Sequence, residues 1–204
     1  MKGKILHSIR EGMEALQQLA TPAGVAFIEE AAALLTECFN KGNKVLIAGN
    51  GGSLCDAAHF AEELTGFFRG PRRALPAIAF TEPGHLTCVG NDLGFDQIFA
   101  RAVEAYGTVD DLFIGLTTSG NSPNIVAAFI QAQKMGLKTI AFLGKGGGKL
   151  KGVADLEVII EGYATSDRIQ EAHMTAIHII IEMVEEHLFS KEPQQVAEEM
   201  LVLD

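Results

Sequence analysis

Twice in this chain an apolar run stops at a cluster of glycine, asparagine and hydroxyl residues and gives way to a helical pattern. The first is Val45-Leu46-Ile47-Ala48-Gly49-Asn50-Gly51-Gly52-Ser53, and the second is Leu112-Phe113-Ile114-Gly115-Leu116-Thr117-Thr118-Ser119-Gly120-Asn121-Ser122-Pro123. A strand that feeds a helix N-terminus in this way leaves backbone N–H groups unpaired at the positive end of the helix dipole. An anion, above all a phosphate, is their natural partner. Ser122 before Pro123 reads as an N-cap followed by the first helical residue, which fixes where the second helix begins. Thr117, Thr118, Ser119 and Ser122 add neutral donors, and neither turn contains a lysine. The pattern points to a small phosphorylated molecule rather than ATP.

The rest of the chain extends this strand–turn–helix theme. Ile5, Ile9, Met13, Leu16 and Leu19 recur at helical spacing, Thr21-Pro22 interrupts, and a second amphipathic stretch runs over 25–39. Strands are predicted at 44–48, 77–80, 111–116, 138–143 and 157–160, separated by helical patterns at 53–67, 95–106 and 122–135. The strands are short apolar runs without strict alternation, as in a parallel sheet covered on both faces. A long helix over 167–187 follows. The expectation is one α/β domain over 1–190, with a five-stranded parallel sheet flanked by helices and N-terminal helices used in assembly. Beyond Lys191 the character changes: Pro193 breaks the helix, and Val196, Met200, Leu201 and Leu203 suit either a short docking helix or a partly ordered tail over 191–204.

Composition narrows the function. With 16 basic against 26 acidic residues the net charge is -10, and Trp is absent, so nucleic-acid binding is not expected. No apolar run reaches the roughly 20 residues of a membrane span, and the charged N-terminus carries no signal-peptide core. Cys38, Cys55 and Cys88 are odd in number and lack CxxC spacing, which fits a reduced, cytoplasmic compartment. Two glycine-rich stretches fail as nucleotide motifs. Gly49-x-Gly51-x-x-Leu54 lacks the third glycine of the dinucleotide fingerprint. Gly144-Lys145-Gly146-Gly147-Gly148-Lys149-Leu150 has Leu150 where a P-loop needs Ser or Thr, and reads as a flexible turn.

His59 and Glu63 stand four apart on the helix that leaves the first turn, and so share a face. The last helix adds Asp167, Arg168, Gln170, Glu171, His173 and His178. His178, within Ile177-His178-Ile179-Ile180-Ile181, reads alone as a satisfied core histidine. With His59, Glu63 and Gln170 it makes a nitrogen and oxygen set suited to Zn2+. Asn91-Asp92 reads either as a helix-ending turn or as hydroxyl recognition at a site edge. Arg69, Arg72 and Arg73 read as a solvated loop, with one of them free to assist a phosphate.

Several of these blocks together resemble one family. Gly49-Asn50-Gly51-Gly52-Ser53, Cys55-Asp56-Ala57, His59-Phe60-Ala61-Glu62-Glu63-Leu64-Thr65-Gly66, Cys88-Val89-Gly90-Asn91-Asp92, Thr118-Ser119-Gly120-Asn121-Ser122 and Asp167-Arg168-Ile169-Gln170-Glu171, with His173 and His178, are similar to the phosphoheptose isomerases of the sugar isomerase (SIS) family. The resemblance covers roughly 1–188. It implies a ketose–aldose isomerase acting on sedoheptulose 7-phosphate through an enediol, in a homotetramer with one Zn2+ per subunit. It implies substrate contacts at Asn50, Gly51, Gly52, Glu63, Asn91, Asp92, Asp167 and Gln170, and a phosphate cradle of Ser53, Thr117, Thr118, Ser119 and Ser122. His59, Glu63, Gln170 and His178 match the zinc ligands, and Glu63 and His178 the acid–base pair. A carboxylate on zinc is a poorer base, so either Glu63 binds weakly and moves or the metal is partly structural. The family often has His where Leu54 stands and Arg where Phe67 stands. Some SIS proteins of similar sequence are non-catalytic tetramers that bind the replication initiator and lack the ligand set, which this chain keeps. An isomerase for another sugar phosphate is the third reading.

Overall fold

The computed structural model describes residues 1–190, so the stretch 191–204 with Val196, Met200, Leu201 and Leu203 lies outside the described residues. Five strands form one sheet: β1 (Val45–Gly49), β2 (Ala77–Ala79), β3 (Leu112–Thr117), β4 (Lys138–Gly144) and β5 (Leu156–Ile160). Their order is β2-β1-β3-β4-β5, and every pairing is parallel. The central strands are buried on both faces because successive side chains enter different cores. Val45, Ile47, Leu112, Ile114, Leu116 and Phe142 join one cluster, whereas Leu46, Ala48, Phe113, Ala141 and Leu143 join the other.

The first cluster is covered by α1 (Lys2–Gln17), α2 (Pro22–Asn40), α3 (Gly52–Thr65) and α7 (Asp167–Phe189). The second is covered by α4 (Pro83–Asp92), α5 (Ile98–Tyr106) and α6 (Pro123–Lys134). Thr21 caps α2 by accepting from the Gly24 N–H at 3.2 Å, with Pro22 at the first position, and the chain bends by 68° between α1 and α2. α1 leaves Ile5, Ile9, Met13 and Leu16 exposed along one side. No single helix among the described residues is long and apolar enough to cross a membrane.

Two elements differ from the sequence reading. Residues 83–92 form α4, a helix for which no range was expected, and Asn91-Asp92 ends it as the helix-ending reading has it. Pro83, Gly84 and Gly90 mask its periodicity, and the signal that remains is local. Glu82 caps the helix, its carboxylate accepting from the N–H groups of Gly84 and His85, and those bonds hold its carboxyl below the usual range. The predicted helix over 95–106 divides into a 3-10 turn, Phe95–Gln97, followed by α5.

From β1 the chain runs to β2 on one side, then crosses to β3 on the other. The loops at the C-terminal ends of β1 and β3 therefore part in opposite directions, which is where open α/β sheets hold ligands. α7 closes the sheet from above. His173 of α7 is fully buried, and its ring packs edge-on to Phe142 with centroids 5.6 Å apart. Its Nε2 lies 2.9 Å from the Leu143 carbonyl, which only accepts, so Nε2 carries the proton and Nδ1 is left without a partner.

Burial pushes the His173 imidazole down from 6.5 to about 4. Because the folded-state value is depressed, the stability tied to its neutral form is complete above 6.5 and is lost as pH falls towards 4. The full loss is about 3 kcal/mol. A His173→Gln variant, which keeps a donor for Leu143, should show a flatter fall in Tm between pH 7 and pH 4 than the parent. Parallel melting curves across that range would show that burial of this ring does not govern acid stability.

Candidate active site

The two strand-to-helix turns meet above β1 and β3 and enclose a cavity of about 270 Å³. Its walls are Asn50, Gly52, Ser53, Leu116, Thr117, Thr118, Ser119, Ser122, Ser166 and Gln170, with no lysine or arginine. The helix starts of α3, α6 and α7 converge here, so three sets of unpaired N–H groups and three positive dipole ends address one space.

Glycine makes the convergence physically attainable. A Cβ on Gly52 would lie 2.6 Å from the Gln170 side-chain amide, so glycine at the start of α3 leaves room for that amide at the cavity. A Cβ on Gly120, which has φ +63°, would collide with the Gly147 carbonyl. Hence the Gly144–Gly148 run, expected to be a flexible turn, is the buttress of the second phosphate turn. Leu150 and Lys149 continue that support through their N–H groups, which donate to the Gly120 carbonyl and to Asn121 Oδ1.

Hydrogen bonds set the hydroxyls. Thr117 Oγ1 and Ser122 Oγ are 3.2 Å apart, and Thr118 Oγ1 and Ser166 Oγ are 2.9 Å apart. Asn50 and Asn124 exchange side-chain amide bonds at 2.9 Å in both directions, tying the first turn to the second. Ser53 is buried, and Gln170 Nε2 reaches its Oγ at 3.4 Å. Ser166 and Asn124 were not singled out from sequence. Ser166 was legible in principle, since a serine just before an acidic first turn is an N-terminal signal.

Farther along α3 and α7 a second group forms. His59 Nε2 lies 3.2 Å from Glu63 Oε1, and the ring of His59 meets that of His178 with centroids 5.1 Å apart. One ligand atom from each of His59, Glu63 and His178 lies within 4.8 Å of the others. His178 Nε2 is buried without a hydrogen-bond partner. A buried, unpaired acceptor or donor is unfavourable unless something satisfies it. Phe68 stacks on the His178 ring, with centroids 5.5 Å apart and planes at 24°. One turn before His59, burial pushes the Asp56 carboxyl up to about 6, against the opposing pull of His59.

The remaining predicted residues fall around this centre. The Gln170 amide sits at the cavity against Gly52 and Ser53, two turns of α7 before His178. Asn91 and Asp92 end α4, bonded to each other at 2.7 Å, outside the cavity lining. Asp167 opens α7 beside Ser166, and a hydrogen bond from Thr165 holds its carboxyl below the usual range. Leu54 packs on the core beneath α4–α6, and Phe67 is exposed. The solvated-loop reading holds for Arg69 and Arg73 but is corrected for Arg72. That residue is 4% exposed and paired with Glu185, because its guanidinium satisfies the carbonyls at the end of α3.

A family model for the SIS domain matches residues 8–144. The phosphoheptose isomerase of Fusobacterium nucleatum is 58% identical over 171 residues, spanning 84% of this chain and 86% of that protein. The chain belongs to the phosphoheptose isomerase family of SIS-domain enzymes. Its relative from Vibrio cholerae, also a phosphoheptose isomerase, is 49% identical over 90% of this chain and 97% of its own length. Among solved structures, a phosphoheptose isomerase from Francisella tularensis superposes with a TM-score of 0.85 at 35% identity, covering 90% of this chain and 97% of that one.

Each hydroxyl of the cradle supplies one neutral hydrogen bond, worth about 1 kcal/mol. Ser119→Ala and Ser166→Ala should each weaken inorganic phosphate binding severalfold with Tm unchanged, as read by calorimetric titration. Unaltered affinity in both variants would place the anion elsewhere.

Proposed function

We propose that this enzyme interconverts sedoheptulose 7-phosphate and D-glycero-D-manno-heptose 7-phosphate through an enediol, working as a cytoplasmic homotetramer that supplies heptose for lipopolysaccharide or another surface glycan. The observation that carries the reading is the gathering of His59, Glu63 and His178, whose buried Nε2 has no partner, at a distance along α3 from a neutral phosphate cradle.

That distance suits the substrate class. His59 follows Gly52 by seven residues on one helix, a rise of about 10 Å. A long sugar chain with its phosphate in the cradle reaches from one end of this span to the other. The helix starts and the hydroxyls hold the phosphate, and that remote binding orients the carbonyl end. Asn50, Gly51 and Gly52 contact the sugar where it leaves the cradle. Asn91, Asp92 and Asp167 are assigned to further substrate contacts, in a tetramer whose sites are built from neighbouring subunits.

Glu63 is the base that removes a proton from the carbon beside the carbonyl. His178 is its partner, moving a proton on oxygen or carbon as the double bond shifts. The donor set also fits a divalent cation, since two imidazoles and a carboxylate converge around an unsatisfied ring nitrogen. His59, Glu63 and His178 would hold one Zn2+ per subunit, which when bound polarises the carbonyl and stabilises enediolate charge, while Gln170, the fourth expected ligand, sits at the cavity two turns of α7 away and reaches Ser53.

The test is turnover of sedoheptulose 7-phosphate by the purified chain, stripped of metal and then with Zn2+ restored. Activity that returns with zinc is expected. Turnover of a pentose or hexose phosphate in its place would overturn the substrate assignment. In the zinc-loaded enzyme, Glu63→Gln should lose about a hundredfold or more in kcat, with phosphate affinity unchanged. Retention of more than about a tenth of the parent rate would remove Glu63 as the base.

A further inference from the structure

Residues 66–73 form a strap that leaves the end of α3, touches α7 and returns towards β2. Arg72 is the buried centre of this strap. Its Nη2 donates to the Glu63 carbonyl at 2.8 Å, and its Nη1 to the carbonyls of Leu64 at 3.0 Å, Gly66 at 2.9 Å and Arg73 at 3.1 Å. Its Nε donates to Glu185 Oε1 at 2.5 Å. One guanidinium thus closes the carbonyl end of α3, which no further turn of helix would satisfy, and pins it to α7.

Glu185 is used as fully as its partner. The same carboxylate accepts from the backbone N–H of Phe68 at 3.1 Å and of Arg69 at 3.2 Å. Those two bonds fix the strap where the Phe68 ring lies flat on His178. Arg69 adds a second anchor, pairing with Glu182 at 2.8 Å and lying 5.6 Å from the Phe68 ring centre.

We propose that Arg72 and Glu185 are positioning residues for the His59–Glu63–His178 cluster. Their ion pair sets α3 against α7 at the level of Glu63 and holds Phe68 over His178. Two of the three cluster residues are therefore placed by one clamp, through the Glu63 backbone on one side and the His178 ring on the other. Burying an ion pair is a poor route to stability alone, because desolvation offsets the attraction, and such pairs are best attested where they set register. Outer partners of metal ligands act in the same way, by fixing ligand orientation. The inference rests on the cluster holding a divalent cation.

The test is Zn2+ affinity of the metal-stripped full chain, read by competition with a chromophoric chelator, for the parent, Arg72→Met, Arg72→Lys and Glu185→Gln. Melting temperature and inorganic phosphate affinity are measured on the same samples. Arg72→Met and Glu185→Gln should weaken Zn2+ binding about tenfold or more, with phosphate affinity unchanged. Arg72→Lys should not restore the parent affinity, since an ammonium cannot fork between the helix end and Glu185. If Arg72→Met does not fold, Glu185→Gln carries the test, because it keeps the shape of Glu185 while losing its charge and one of its two accepting oxygens. Zn2+ affinity within about twofold of the parent, alongside a lower Tm, would make the clamp a structural staple and overturn the proposal. A parent chain that binds no Zn2+ would instead overturn the metal reading on which it stands.

Discussion

The packing of α3 against α7 is the contact on which the functional half of this molecule depends. Neither helix carries a site by itself. α3 brings Ser53 to the cavity and His59 and Glu63 to the second cluster, while α7 brings Ser166 and Gln170 to the first and His178 to the second. Ala57 and Ala61 on one helix and Ala172 and Ala176 on the other are buried in the same core as Phe60, Leu64, Ile169 and Ile177. Gly52 leaves room for the Gln170 amide at the cavity end, and the Arg72–Glu185 pair ties the far end. Because α3 starts where β1 stops, the sheet sets the origin from which distances along the site are measured.

The parallel sheet was readable because strands buried on two faces must be apolar at consecutive positions, and β1, β3 and β4 are. The helix starts were readable because Gly, Ser and Pro have positional meaning there. α4 was hidden because its cap is a glutamate and its interior holds two glycines. The His59–Glu63 pair followed from helical spacing, but His178 remained ambiguous in sequence, since a histidine among isoleucines is equally a core residue. His173, on the same helix, turned out to be that core residue. Arg69, Arg72 and Arg73 look alike as letters. Burial separates them, and it is set by a glutamate more than a hundred positions away.

The cradle is also stiff. The Asn50–Asn124 exchange, the paired hydroxyls and the seating of Gly120 on Gly147 tie both turns together through the protein's own bonds. A site set in advance loses little entropy on binding, so more of the phosphate's interaction remains to orient the reacting end. In the proposed reaction, the glycine run that fails as a nucleotide motif thereby supports phosphate recognition from behind the turn.

The absence of a cation from the cavity lining has a kinetic consequence. The chain carries a net charge of -10, and a sugar phosphate approaches as an anion. Among the described residues the cavity lining has no side-chain cation, so the only local positive potential is that of the converging helix starts, which fades within a turn and leaves the long-range repulsion of the whole molecule unopposed. Encounter is thus slowed by the protein's own field, and added salt, by screening that field, quickens it. An ordinary cation-lined phosphate site responds in the opposite direction. In the proposed reaction the anion is recognised at contact range, and the same field hastens the departure of the phosphorylated product.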